Sequence, residues 1–250
     1  MSDHTQLEHR MEKDWDERAK RGPFHHVLNR YPIGEWDLDE FYGSGGLDMQ
    51  RWLDPFCDRN GINTRTRVLL EIGCGVGRQT MHLAQRFKRV IALDISQEML
   101  EVAARMVEAD NVTWVKGDGV SLRGLKASSV SFAYSMIVLM HIPDPEIQYA
   151  YLAEMGRVLR PGGWFFIQLY NDVEGYATKL PKWQDRAATQ ELKGWSEAAR
   201  WELENNRFYT GIQTAVDAER TLAVLAEAGL VVLENEGQGT PLWVLGGRKE

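Results

Sequence analysis

Cysteine is almost missing. Cys57 and Cys74 are the only two in 250 residues, too few for a disulfide framework and, by themselves, for a metal cluster. Long apolar runs are missing too: no stretch approaches the ~20 consecutive apolar residues that a bilayer-spanning helix needs. The opening segment MSDHTQLEHRMEKDWDERAKR is charged throughout and has no apolar secretory core. A cytoplasmic protein with no membrane partner is expected. Positive charge is not in excess either. Against 36 Asp and Glu stand 29 Lys and Arg, a net charge of −7, so no basic field would draw a polyanion and no nucleic-acid partner is expected. Internal repeats and low-complexity tracts are absent. What remains is ordinary globular composition, 44% hydrophobic and 26% charged, enough for one sizeable core.

Residues 3–20 are polar and helix-forming. From Asp37 to Asp58, apolar residues recur at helical spacing (Leu38, Phe41, Tyr42, then Met49, Trp52, Leu53, Phe56) on either side of Gly43-Ser44-Gly45-Gly46, which reads as a break between two helices. After Asn60-Gly61 the pattern changes to short β-rich runs at Val68–Ile72, Val90–Leu93, Val112–Val115, Val130–Ser135 and Trp164–Leu169. Amphipathic stretches such as Glu98–Glu108 and Pro145–Leu159 separate them, the alternation of βαβ units and a parallel sheet. From Asn171 to about Ala218 the alternation stops. A helix at Glu219–Ala228, closed by Gly229, then leads to strands near Leu230–Leu233 and Leu242–Leu245, a terminal hairpin around Glu236-Gly237-Gln238-Gly239. The expected fold is α/β: a doubly wound, mostly parallel seven-stranded sheet with a terminal antiparallel hairpin, N-terminal helices, and a helical insertion after the fifth strand. Residues 1–60 form an N-terminal helical cap in this reading, and 61–250 the main domain, with 171–218 as an insertion on the substrate side.

The sharpest feature is Val68-Leu69-Leu70-Glu71-Ile72-Gly73-Cys74-Gly75-Val76-Gly77-Arg78, a strand that runs into three glycines at alternate positions and then a helix expected to begin near Arg78. Such a turn is tight and leaves a ligand room to approach, and the first N–H groups of the helix point back toward it. A second strand ends in Asp94, 94 − 75 = 19 residues past the middle glycine, where a carboxylate can accept from both hydroxyls of a ribose. A dinucleotide fingerprint would carry its third glycine at position 78, which is Arg78. An adenosine with a short tail suits the loop better.

These residues resemble the class I S-adenosylmethionine-dependent methyltransferases. Glu71 to Gly77 looks like their first motif, an acid followed by x-G-x-G-x-G; Leu93-Asp94-Ile95-Ser96-Gln97-Glu98-Met99-Leu100 like the second-strand acid and the helix after it. Lys116-Gly117-Asp118-Gly119 is similar to the third-strand loop. Phe132 to Met136 with His141-Ile142-Pro143-Asp144 resembles the fourth strand and its loop, and Leu159-Arg160-Pro161-Gly162-Gly163 the turn before the fifth. The likeness covers roughly residues 66–170. It implies S-adenosyl-L-methionine as cofactor and S-adenosyl-L-homocysteine as product. It also implies that Gly73, Cys74, Gly75 and Gly77 hold the methionine part with Glu71 near it, and that Asp94 takes the ribose. Asp118 would accept from the adenine amino group beside Gly119, with Ile95 and Met99 packed on the base. Ser135 and Tyr42 complete the expected cofactor-binding set, Tyr42 as part of a cap. Cys74 itself reads as a small buried filler.

Methyl transfer from a sulfonium neutralises charge, so the main task is to hold the nucleophile in line in a dry cavity. An oxygen acceptor also needs a base. His141, on the loop after the fourth strand, is the candidate. His25 and His26 read as solvated surface. The family's exocyclic-nitrogen enzymes carry an Asn/Asp-Pro-Pro-aromatic tetrad where this chain has Ser135-Met136-Ile137-Val138, which argues against a DNA or RNA adenine. The metal-dependent catechol-type pattern has only Asn171-Asp172 in its favour, with no first acid at Ser135 or Met136, so no metal is expected. Trp183, Trp195, Trp201, Phe208 and Tyr209 of the insertion would wall an acceptor pocket, and Arg186, Arg200 and Arg207 could meet an anionic acceptor. The expected activity is methylation of a small molecule, at oxygen ahead of nitrogen. Methylation of a protein or RNA, a non-catalytic cofactor-binding partner protein and, more distantly, a dehydrogenase remain alternatives, and a homodimer is left open.

Overall fold

The computed structural model describes residues 3–28, 33–172, 174 and 213–250. Seven strands form one sheet: β1 (Val68–Ile72), β2 (Arg89–Asp94), β3 (Val112–Lys116), β4 (Val130–Ser135), β5 (Leu159–Leu169), β6 (Leu230–Glu236) and β7 (Trp243–Lys249). Their order is β3-β2-β1-β4-β5-β7-β6. The first five are mutually parallel and β7 runs antiparallel to both β5 and β6, the doubly wound sheet and terminal hairpin that the sequence predicts. The chain leaves β1 toward β2 and β3, then crosses back to β4. The crevice between the carboxyl ends of β1 and β4 is therefore the switch point at which open α/β sheets bind ligands.

Alternation along each strand builds two cores. Leu70, Ala133 and Phe165 face α7 (Pro145–Val158) and α8 (Ala218–Glu227). Leu69, Phe132 and Phe166 face α4 (Asp54–Arg59) and α5 (Thr80–Arg86). Phe56 of α4 is fully buried against Phe132, Trp164 and Phe166, so this helix belongs to the core of the sheet. Side-chain caps fix the helix starts. Ser96 accepts from Met99 N to open α6 (Gln97–Met106), and Asp144 and Asp217 open α7 and α8 in the same way. Among the described residues, no helix is long and apolar enough to cross a membrane.

Three details differ from the sequence reading. The glycines at 43–46 do not break a helix: α3 (Leu38–Asp48) runs through them into a π-helical stretch, Met49–Leu53, and on into α4. Their smallness serves packing, because a Cβ on Gly45 would collide with the backbone oxygen of Arg78 and one on Gly46 would sit 3.0 Å from the His82 ring. Helix α5 starts at Thr80 rather than near Arg78. The expected turn at 159–163 lies inside β5, where the register jumps from the pair Val130–Leu159 to Phe132–Trp164. The insertion's aromatic residues Trp183, Trp195, Trp201, Phe208 and Tyr209, and Arg186, Arg200 and Arg207, lie outside the described residues. The described residues that follow that segment bond to the loops after β4 and β5: Thr214 N donates to Met140 O and Val216 N to Tyr170 O.

The glycines of α3 give opposite expectations within one helix. Gly43 is exposed and a Cβ there meets nothing within 4 Å, so Gly43→Ala should stabilise by about 0.5–1 kcal/mol. Gly45→Ala should destabilise by about 1–3 kcal/mol through overpacking. Thermal or urea melts of the two variants check the opposite signs.

Candidate functional site

The glycine loop is bound to the tip of the neighbouring strand. Gly73 N and Cys74 N both donate to the Leu93 carbonyl, at 2.7 and 3.0 Å, and Gly75 N donates to Asp94 Oδ2 at 2.7 Å. Gly73, Gly75 and Gly77 all have positive φ (77°, 52° and 81°), a region that side-chain-bearing residues rarely adopt. From behind, α3 clasps the same loop. Tyr42 Oη donates to Val76 O at 3.0 Å, Arg78 pairs with Asp48 at 2.7 Å and donates to Ser44 Oγ, and Gln79 donates to Asp48 at 3.0 Å.

In front of the loop lies a cavity walled by the strand tips and by the N-terminal helices α1 (Asp3–Arg21) and α2 (Pro23–Val27). Met11, Trp15, Val27, Leu93, Ile95, Met99 and Val138 make much of it apolar, and Glu71 and Asp94 are its carboxylates. Burial pushes the Glu71 carboxyl up to about 7; the charge of Asp94 adds to this, while the hydrogen bond from Thr80 Oγ1 at 2.6 Å opposes it. Burial likewise raises Asp94, against the backbone N–H groups of Ser96 and Gly75 that bind its two oxygens. Each Asp94 oxygen spends one lone pair on these bonds and keeps another for a ligand hydroxyl.

Of the residues singled out in the sequence, Glu71, Gly73, Cys74, Gly75, Asp94, Ile95, Met99, Gly119 and His141 line this cavity. Four do not. Tyr42 sits behind the loop, Gly77 packs under it against Val107, and Ser135 Oγ donates to Ile72 O at 3.1 Å. The Asp118 carboxylate turns back on its own loop, accepting from Val120 N, Ser121 N, Ser121 Oγ and Arg123 Nε at 2.7–3.0 Å. Asn171 accepts from Gly239 N and donates to Val216 O, which anchors the chain after β5.

Sequence reasoning missed Met11, Trp15, Val27, Arg78, Gln79 and Tyr151, all of which line the cavity, and read His26 as solvated although it is half-buried on the same wall. One signal was available. Leu7, Met11, Trp15 and Ala19 recur every four residues on an otherwise charged helix, an apolar stripe that needs a partner surface. The Trp15 ring meets that of His141 edge-on at 6.1 Å.

A family model described as a methyltransferase domain matches residues 70–167. The biotin biosynthesis bifunctional protein BioHC of Cellvibrio japonicus is 42% identical over 104 residues, 41% of this chain and 19% of that protein. A ubiquinone biosynthesis O-methyltransferase of Paracidovorax citrulli is 27% identical over 159 residues, 61% of this chain and 62% of that one. Three curated relatives matched at 36–42% identity are spanned over only 19–37% of their own length. Among solved structures, magnesium protoporphyrin IX methyltransferase (ChlM) from Synechocystis PCC 6803, with bound S-adenosylhomocysteine, has the same fold. It superposes with a TM-score of 0.66 at 16% identity, over 98% of this chain and all of that one.

The raised Glu71 carboxyl has a measurable consequence. Its folded value of about 7 exceeds the ordinary 4.5, so between those pH values the folded state holds a proton that the unfolded state has released. Stability of the ligand-free protein should fall as pH rises through this window and then level off, by on the order of 3 kcal/mol for this one group. Glu71→Gln should flatten the fall, as read by thermal melts from pH 5 to 8.

Proposed function

We propose, from the match of residues 70–167 to a methyltransferase domain, that the protein is a class I S-adenosylmethionine-dependent methyltransferase and transfers a methyl group from S-adenosylmethionine to a small-molecule acceptor, at oxygen. The observation that carries this reading is the bond between Gly75 N and Asp94. It sets a turn with glycine at positions 73, 75 and 77 beside a buried carboxylate with lone pairs to spare, a seat for a nucleoside with an amino-acid tail.

The lining fits that cofactor. Apolar side chains flank the adenosine end, and Glu71, buried beside the loop, answers the cationic amino group at the other. Bound there, S-adenosylmethionine supplies an electrophilic methyl on a sulfonium, and the residues of the chain have three tasks. The glycine loop and Asp94 fix the donor. Trp15, Val27 and Val138 keep water from it. His141, next to Trp15 on the turn after β4, takes the acceptor's proton. The likeness to the Paracidovorax O-methyltransferase supports oxygen as the acceptor atom. A concave, largely apolar cavity between the strand tips and the N-terminal helices supports a small molecule over a macromolecule.

Titration calorimetry with S-adenosylhomocysteine tests the site. Wild-type protein should bind it, and Asp94→Ala should bind at least about tenfold more weakly, the cost of charge-assisted hydrogen bonds. Unchanged affinity in Asp94→Ala removes the ribose assignment. His141→Ala should lower kcat on an oxygen acceptor and leave cofactor affinity intact; full activity in that variant removes His141 as the base.

A further inference from the structure

Tyr151, on α7, is 3% exposed and lines the cavity, yet its hydroxyl makes no hydrogen bond to the described residues. A hydroxyl that opens on the cavity and is not bonded to the described residues is available to a ligand that enters there. Its place is defined from several sides. Arg157, farther along α7, donates to Leu122 O and Leu125 O, both at 2.8 Å, and so pins the helix to the segment after β3 that carries Gly119. A Cβ on Gly119 would run into Ile95 and lie 3.4 Å from Met11. Burial raises the pKa of the Tyr151 hydroxyl, and the negative charges of Asp118, Asp94 and Glu8 raise it further, so this end of the cavity has a negative field that favours a ligand's hydrogen-bond donor.

A nucleoside with its ribose on Asp94 and its amino-acid tail on the glycine loop must direct its base to the opposite end, where Ile95, Gly119 and Met11 come together and where Tyr151, on the same cavity wall, is near enough to Asp118 and Asp94 to feel their charges. The residue expected to read the base, Asp118, already accepts four hydrogen bonds, the full capacity of a carboxylate. On the reading of the site proposed above, the geometry points to Tyr151 as the residue that recognises the adenine amino group. Its hydroxyl oxygen accepts from that group, and Asp118 holds the loop.

Calorimetry with two probes tests this: S-adenosylhomocysteine, and its analogue with hydrogen in place of the six-amino group. Wild-type protein should prefer S-adenosylhomocysteine, and Tyr151→Phe should bind it about fivefold more weakly, the effect of one neutral hydrogen bond. Tyr151→Phe should bind both probes alike. Its melting temperature without ligand should not fall, since no bond within the protein is lost, whereas a structural role would lower it. Asp118→Asn should melt lower but keep the preference. If Tyr151→Phe retains the wild-type affinity and preference, or if Asp118→Asn abolishes the preference while Tyr151→Phe keeps it, the assignment to Tyr151 is overturned and the cofactor site stands. If wild-type protein binds neither probe, both readings fall together.

Discussion

Three backbone donors held by two consecutive residues organise this site. Leu93 accepts from Gly73 and Cys74 through its carbonyl, and Asp94 accepts from Gly75 through its side chain. These bonds hold the loop in a left-handed conformation that only glycine adopts cheaply. The same contacts place a carboxylate next to the bared backbone. The clasp from α3 holds the loop's far side: Tyr42 on Val76 O, and Asp48 on Arg78 and Gln79. The small Gly45 and Gly46 let α3 approach closely enough to make it. Packing at the back of the loop and the open cavity at its front are thus two sides of one arrangement.

The front wall has a different origin. Helix α1 is tied to the body by the pairs Glu12–Lys116, Glu8–Arg123 and Lys20–Glu98. All three lie at the surface, where such pairs contribute little. Two stronger ties join them. Asp16 accepts from Ser96 Oγ at 2.6 Å and Glu98 N at 3.3 Å at the start of α6, and the stripe Leu7, Met11, Trp15, Ala19 buries its apolar surface. The result is a cavity with apolar walls and two desolvated carboxyls. Desolvation is also why the Glu71 carboxyl is pushed up to about 7.

Much of this was legible in the sequence, because the informative patterns are local. Glycine spacing after an apolar strand, an acid at the next strand's end and β-runs alternating with amphipathic helices specified the parallel sheet and pointed to nine of the residues that line the cavity. Where the reading failed, nonlocal packing decided. Gly43 to Gly46 look like a helix break until Arg78 and His82 are seen pressing on Gly45 and Gly46. Asp118 has the sequence position of a base-reading acid, but Ser121 and Arg123, a few residues away, claim its oxygens. Tyr151 gave no signal at all, since a tyrosine in an amphipathic helix reads as core, and only the fold brings it to the wall of the same cavity as Gly119 and Met11. Trp15 and Val27 reach the cavity through tertiary contacts with loops more than a hundred and some fifty residues away.

A crystal structure of the protein grown with S-adenosylhomocysteine tests the account most directly. It should show both ribose hydroxyls on the Asp94 carboxylate, the amino-acid tail over Gly73 to Gly75, and the Gly75–Asp94 bond intact. Nucleoside density elsewhere on the molecule, or a ribose beyond hydrogen-bonding reach of Asp94, would contradict it.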